Sequence, residues 1–301
     1  MNTAAPAPGR AATATARRRA HRALAREVRR LAANFYYPFL LLPPRRRRAI
    51  FALYGFCRAA DDVADGPGSA AERRQGLERY RQALQATLDG HPPGPRWLAL
   101  ADAVEAFHLD PLPLQTIIDG CAADCAPLAV DTLQDLERYA YQVAGAVGLL
   151  SAQIFGYRDP AVPQLAIRLG FAMQLTNVLR DLREDAQRQR RYLPREDLER
   201  FRCPEAALAT GPVGPAAPAY RALLRFEVAR ARESFAAARP LIPLLDRSAR
   251  GCPAALAAVY LALLERIEAR GYDVQSQRVS LPLPAKVGAV LRAYAAATWR
   301  P

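Results

Sequence analysis

Apolar side chains recur every three to four residues along nearly the whole chain, the period of helices that each bury one face. No stretch alternates apolar and polar residues as a strand would, and no hairpin turn separates two such runs. From Arg17 to Leu31 the chain is Arg-rich, with Leu24, Val28 and Leu31 at helical spacing. An aromatic connector, Asn34 to Pro44, follows it. Arg45 to Asp65 reads as one long helix with Pro44 placed to start it. Ser69 is a candidate N-cap for Ala70 to Leu88, and Pro111 and Pro113 start a helix over Leu114 to Ala123. Between those two, Trp97 to Phe107 forms another helix. Thr132 caps an expected unbroken helix from Leu133 to Phe155, and Pro163 to about Arg188 is the next. The remaining helices are Tyr220 to Arg239, Pro253 to Arg270 and Leu283 to Ala297. The pattern predicts an all-α domain of roughly ten helices around a shared cavity.

Met1 to about Ala16 is rich in Ala, Pro and Thr without apolar periodicity, and is expected to be a disordered tail. Residues 17–301 then form a single helical domain. The chain has 301 residues, 51% of them hydrophobic, enough for a sizeable core. No apolar run reaches the length that spans a bilayer. The five cysteines are scattered and odd in number, with no secretory signal ahead of them, so reduced thiols in a cytoplasmic protein are expected.

Net charge is +13, nearly all from arginine; Lys286 is the sole lysine. That excess suits anionic partners. It is diffuse and not interleaved with aromatics, which argues against nucleic acid. The first Arg-rich helix fits either contact with a diphosphate or an anionic membrane surface, or a plain solvated helix. Peripheral contact with the inner membrane is therefore one expectation for the localisation. Association with pathway enzymes is open, as is the choice between monomer and dimer.

Two acidic stretches change the picture most. Tyr54 to Asp65 ends an apolar helical run with Asp61, Asp62 and Asp65; Asp61 and Asp65 are four apart and share a face. Gln174 to Asp185 repeats the device with Asp181 and Asp185, and Asn177 lies one turn back on the same face. Carboxylate pairs without His or Cys nearby suit hard, oxygen-seeking cations, Mg²⁺ or Mn²⁺. Two such faces on separate helices can meet across a cavity and hold a diphosphate leaving group between metal ions. Each motif alone also fits a solvated acidic helix end. Arg58 and Arg180 lie within a turn of the carboxylates and can grip phosphate oxygens or pair with a neighbouring Asp; Arg190 extends that rim. The small residues of Val143-Ala-Gly-Ala-Val-Gly148 allow a second helix, or a thin hydrocarbon tail, to come close to the backbone.

Phe35-Tyr-Tyr-Pro-Phe39 with Leu42 to Asp65 resembles the first signature of the squalene/phytoene synthase family. Tyr139 to Gly148 is similar to its central segment. Gln174 to Asp185 with Arg190-Arg-Tyr-Leu-Pro194 is similar to its second aspartate-rich signature. The resemblance runs from about residue 30 to 290 and lies nearest the presqualene diphosphate synthases of the hopanoid branch, with phytoene synthases next. It implies an isoprenoid-synthase-type helical bundle around a central cavity and head-to-head condensation of two prenyl diphosphates. Asp61, Asp65, Asn177, Asp181 and Asp185 would be the metal ligands. Tyr54, Arg58, Gln174, Arg180, Arg190 and Tyr260 would bind substrate, and Tyr141 would stand at the reacting ends. The expected product is presqualene diphosphate from two farnesyl diphosphates; phytoene from two geranylgeranyl diphosphates is the alternative. NADPH would be needed only if the reaction ran on to squalene. A non-catalytic scaffold or anionic-lipid binder is the reading of another class. Two segments depart from the family pattern: Leu31-Ala-Ala-Asn34, and Gly120 to Ala129, where Asp124 is the recognisable polar residue kept.

Overall fold

A computed structural model of the chain describes residues 10–32 and 34–298. Fifteen α-helices are present among them, joined by short connections. The first, α1, spans Arg10–Leu31, so its start lies ahead of the Arg17 expected from the sequence. The expected tail therefore includes residues that are helical; residues 1–9 lie outside the description. Leu24 and Val28 form the buried spine of α1. A short α2, Tyr36–Leu40, occupies the aromatic connector, and α3, Pro44–Ala64, begins with Pro44 in its first turn. Gly55 of α3 lies against Leu24 so closely that a Cβ there would collide with the leucine side chain.

Ser69 and Glu72 form a reciprocal capping box that opens α4, Ala70–Leu88. Then come α5, Pro95–Phe107, and α6, Pro111–Ala123; the Asp110 carboxylate accepts from the Leu112 amide at the start of α6. Thr132 and Asp135 build a second capping box for α7, Leu133–Ala140. The long helix expected from Leu133 to Phe155 is not continuous. A π-helical turn, Tyr141–Gly145, interrupts it before α8, Ala146–Phe155. The central helix α9 spans Val162–Gln187 and packs on α8, the π turn, α12 (Ala217–Ala238) and α14 (Gly251–Ala269). Small helices fill the remaining links: α10 (Arg195–Arg200), α11 (Ala206–Thr210) and α13 (Leu241–Leu244). The last, α15 (Leu283–Thr298), packs on α14 and touches α2.

Two two-residue strands depart from the all-helix reading. β1 (Leu128–Ala129) pairs in parallel with β2 (Arg190–Arg191). The pairing ties the segment after α6 to the segment after α9, far apart in sequence. Among the described residues no helix is long and apolar enough to cross a membrane.

Candidate active site

The helices enclose a cavity of about 480 Å³. One end is polar, lined by Asp61, Asn177, Arg180 and Arg278; toward Phe155, Leu241 and Pro253 the walls are apolar. The small segment of the π turn and α8 serves both uses expected of it. Val143, Ala144, Val147 and Gly148 line the cavity. A Cβ on Gly148 would stand 2.6 Å from the Ala166 carbonyl oxygen, and one on Gly170 would stand 2.7 Å from that of Ala144. Glycine at both positions lets α9 and the α7–α8 arm lie backbone to backbone, leaving a narrow apolar wall.

Helix α3 carries the first acidic face to the polar end. Asp61 opens onto the cavity and accepts from the Cys121 thiol at 3.4 Å. Its carboxyl is pushed up to about 6 by the protein walls that replace bulk water around it, although the Cys121 bond and Arg58 pull the other way. Arg58 lines the cavity and pairs with Asp62 at 2.6 Å. Asp65 caps α3 and is bound by Arg188 and, at 2.9 Å, by Arg190.

Helix α9 carries the second face. Gln174, Asn177 and Arg180 line the cavity; Asp181 and Asp185, further along the same helix, are not among its lining residues, and Asp185 lines a separate cleft with Arg190 and Tyr192. Burial would raise the Asp181 carboxyl, but hydrogen bonds from Arg180 and Arg278 hold it below the ordinary range. Asp185 is pushed up to about 8 by burial and by Asp181 beside it, with Arg190 opposing. The Asn177 amide donates to Gln174 at 3.4 Å and bonds the hydroxyl of Tyr260. Tyr260 is fully buried and faces the cavity; Tyr54 faces it from α3, its phenol raised to about 12 by burial. Phe35 bridges the two, with ring centroids 5.9 Å from Tyr54 and 6.0 Å from Tyr260.

Asp124 connects the two faces. It accepts from the hydroxyls of Tyr192 at 2.6 Å and Tyr139 at 2.9 Å, and its backbone carbonyl takes Arg190. Burial raises its carboxyl, and it in turn raises Asp61 on one side and Asp185 on the other. The β1–β2 pairing holds Arg190 and Tyr192 in reach of it. Tyr141 alone among the expected tyrosines lies outside the cavity lining. It sits half-buried on the π turn, against Gly145.

Sequence reasoning missed Arg278, which donates to both oxygens of Asp181 at 2.9 and 3.2 Å and stands 3.4 Å from Glu184. No helical pattern marks it, because it lies in the link between α14 and α15. That link is positioned at Gln275, whose buried side chain accepts from Tyr220 at 2.9 Å and donates to the Leu208 carbonyl at 2.7 Å. Arg183 adds a 2.7 Å bond to the Gln275 carbonyl. Arg188, which the sequence pattern marks only as a helix end, pairs with Asp65.

Among the described residues no three His, Cys, Asp or Glu side chains stand close enough to hold a metal ion on their own. The donor set is nonetheless all oxygen, and the arginines are unevenly shared among its carboxylates. Asp61 and Asp185 have no arginine within salt-bridge distance among the described residues, while Asp65 and Asp181 each have two. Mg²⁺ is commonly held by one or two carboxylates and completes its shell with water and substrate phosphate. The residues fit such an ion.

An all-α cavity with two aspartate-rich helix faces at its polar end defines a prenyl-synthase fold. The family model for squalene/phytoene synthase matches residues 28–285. The chain belongs to that family, whose members are prenyl transferases. It is 39% identical over 268 residues to 15-cis-phytoene synthase of Synechocystis, covering 85% of this chain and 79% of the relative. Phytoene synthase of Arthrospira platensis is 36% identical, with 83% and 84% covered. A crystal structure of a dehydrosqualene synthase in complex with ligand superposes with a TM-score of 0.85 at 27% identity, covering 96% of this chain and all of the other. Squalene synthase HpnC from Alicyclobacillus acidocaldarius gives 0.77 at 27% identity, over 85% and 95%.

Proposed function

We propose that this chain condenses two geranylgeranyl diphosphates head to head to phytoene. The observation that carries the choice is its identity to phytoene synthases, 39% over 85% of the chain. This reverses the order expected from the motifs, which put presqualene diphosphate first. Two diphosphates leave and two protons are lost, so no hydride donor is needed and NADPH has no part in this reading.

In this reading Asp61, Asp65, Asn177, Asp181 and Asp185 would hold Mg²⁺, whose chemistry there would be charge neutralisation of the diphosphate leaving group. Arg58, Arg180 and Arg190 turn from their present carboxylate partners to phosphate oxygens, which offer the same planar, charge-assisted bonds. Gln174 orients the Asn177 amide. The apolar wall toward Phe155 takes the hydrocarbon chains and keeps water from the allylic cation. Tyr54 and Tyr260 line the cavity, and in this reading their aromatic rings stabilise that cation. Tyr141, outside the lining, has the weaker claim to that role.

Incubation of the purified protein with Mg²⁺ and either geranylgeranyl or farnesyl diphosphate tests this, with organic extracts read by mass spectrometry. Phytoene from the C20 substrate is the expected result. The dehydrosqualene and squalene synthases among the structural neighbours favour a second reading. Turnover of farnesyl diphosphate alone would select it and overturn the first.

A further inference from the structure

The arginines of α1 divide into two groups. Arg17 and His21 are committed to Asp102, at 2.9 Å each, and Glu27 is taken by Arg96. Arg18, Arg19, Arg22 and Arg26 are exposed and make no ion pair among the described residues. Arg19, Arg22 and Arg26 recur at helical spacing and line one cleft against Pro95 and Leu98 of α5. Arg18 and Arg22 line a second cleft with Arg48 of α3, and Arg45 lines a third with Arg48. Six cations thus form a continuous face along α1 and the first turn of α3.

That face runs into exposed apolar surface. Arg47 lies in the same cleft as Arg48 and donates to the carbonyl of Leu40 at 3.4 Å; the Leu40 side chain is 40% exposed. Next to it, Leu41 and the ring of Tyr294 both meet Gly251. Tyr294 is 40% and Leu291 60% exposed on the same helix, α15. At the other end of α1, exposed Leu31 lines the reaction cavity itself.

We propose that α1 and the start of α3 dock on an anionic phospholipid surface, with Leu40, Leu291 and Tyr294 entering its apolar layer. The charge is complementary to headgroup phosphates, and leucine and tyrosine beside arginine match the boundary between headgroup and acyl chain. Nucleic acid fits less well, because the rings in these clefts are already engaged: Phe107 is half-buried under the Arg45 guanidinium, 5.4 Å from it, and Phe51 is buried, so neither stands open to stack on bases. The benefit of such docking, release of an insoluble hydrocarbon next to a bilayer, rests on the proposed reaction. Vesicle binding is read without turnover, so its failure and that of the reaction are distinguishable.

The test is cosedimentation of the full chain with phosphatidylcholine vesicles, with and without about one third phosphatidylglycerol. Binding to the anionic vesicles, weak on neutral ones and lost in high salt, is the expected result. Each arginine near an anionic surface contributes about a fivefold change in partition, so Arg18→Gln, Arg19→Gln, Arg22→Gln and Arg26→Gln together should weaken binding more than about a hundredfold. Their melting temperature should match wild type. If the quadruple variant fails to fold, the pair Arg22→Gln and Arg26→Gln should still lose about tenfold or more. Leu40→Ser with Leu291→Ser should weaken binding while leaving its salt dependence. Equal partition onto neutral vesicles, or unchanged binding of the arginine variant, overturns the proposal. Tighter binding to a short DNA or RNA duplex than to anionic vesicles overturns it too and gives the face to nucleic acid.

Discussion

Two acidic clusters in this protein are built from the same side chains and differ in what lies in front of them. At the cavity end, Asp65 and Asp181 are held by arginines that reach over from other segments, Asp61 and Asp185 have none within salt-bridge distance among the described residues, and Asp61 opens onto the cavity. Between α10 and α12, Asp197 and Glu227 share a single cation. Arg230 donates to Asp197 at 2.8 Å and to both oxygens of Glu227 at 2.8 and 2.9 Å, with the Phe226 ring 4.7 Å away. Asp197 and Glu227 are both buried. Each cluster leaves carboxylates without an arginine of their own: Asp61 and Asp185 at the cavity, where Asp65 and Asp181 take two each, and one of the pair that shares Arg230. In both, burial favours a proton on one carboxyl, raised to about 8: Glu227 in the closed cluster and Asp185 in the open one. The open one alone has room to take a cation or a charged ligand instead. Carboxylates left short of arginine become a site only where space adjoins them.

The largest effect that would test this contrast is on turnover. Asp61→Ala and Asp181→Ala should each lower kcat by about a thousandfold or more, with melting temperature within a few degrees of wild type. Retained product formation in either would remove the distinction between the clusters. Next comes Arg230→Met, which strands two buried carboxylates and should cost about 3–5 kcal/mol in urea unfolding. Its turnover at low temperature should be near wild type; a large loss there would tie the closed cluster to catalysis. Arg278→Ala should raise KM for the diphosphate about tenfold by removing one of the two guanidinium groups on Asp181, seen in steady-state kinetics. The smallest effect is one of pH. Glu227 binds its proton more tightly folded than unfolded, so ionising it costs stability progressively from about pH 4.5 up to about 8. Glu227→Gln cannot ionise, so its stability relative to wild type should rise by on the order of 1–3 kcal/mol across that window. A difference that is flat with pH would mean that the glutamate is ionised throughout.

Much of this was legible along the chain. Pro44, Ser69 and Thr132 start the helices that their chemistry predicts, and both aspartate pairs stand where the i,i+4 spacing puts them. The break at Tyr141–Gly145 was not legible, because the residues on either side are apolar and helix-compatible. A π turn shows only in the backbone bonding, and here it coincides with the close approach of α9 at Gly170. The β1–β2 pairing was invisible for a related reason. Two residues are too short to show alternation, and the partner lies across the fold.

The sequence by itself determined the helices, their caps, the two carboxylate faces and the family, because each depends on residues within a few turns of one another. Tertiary structure decided which charge meets which. It set Arg278 on Asp181, Arg188 and Arg190 on Asp65, and Asp124 between the two faces. Those pairings join segments far apart in the chain, and Coulomb energy depends on distance in space and on the surrounding dielectric, neither of which local spacing encodes.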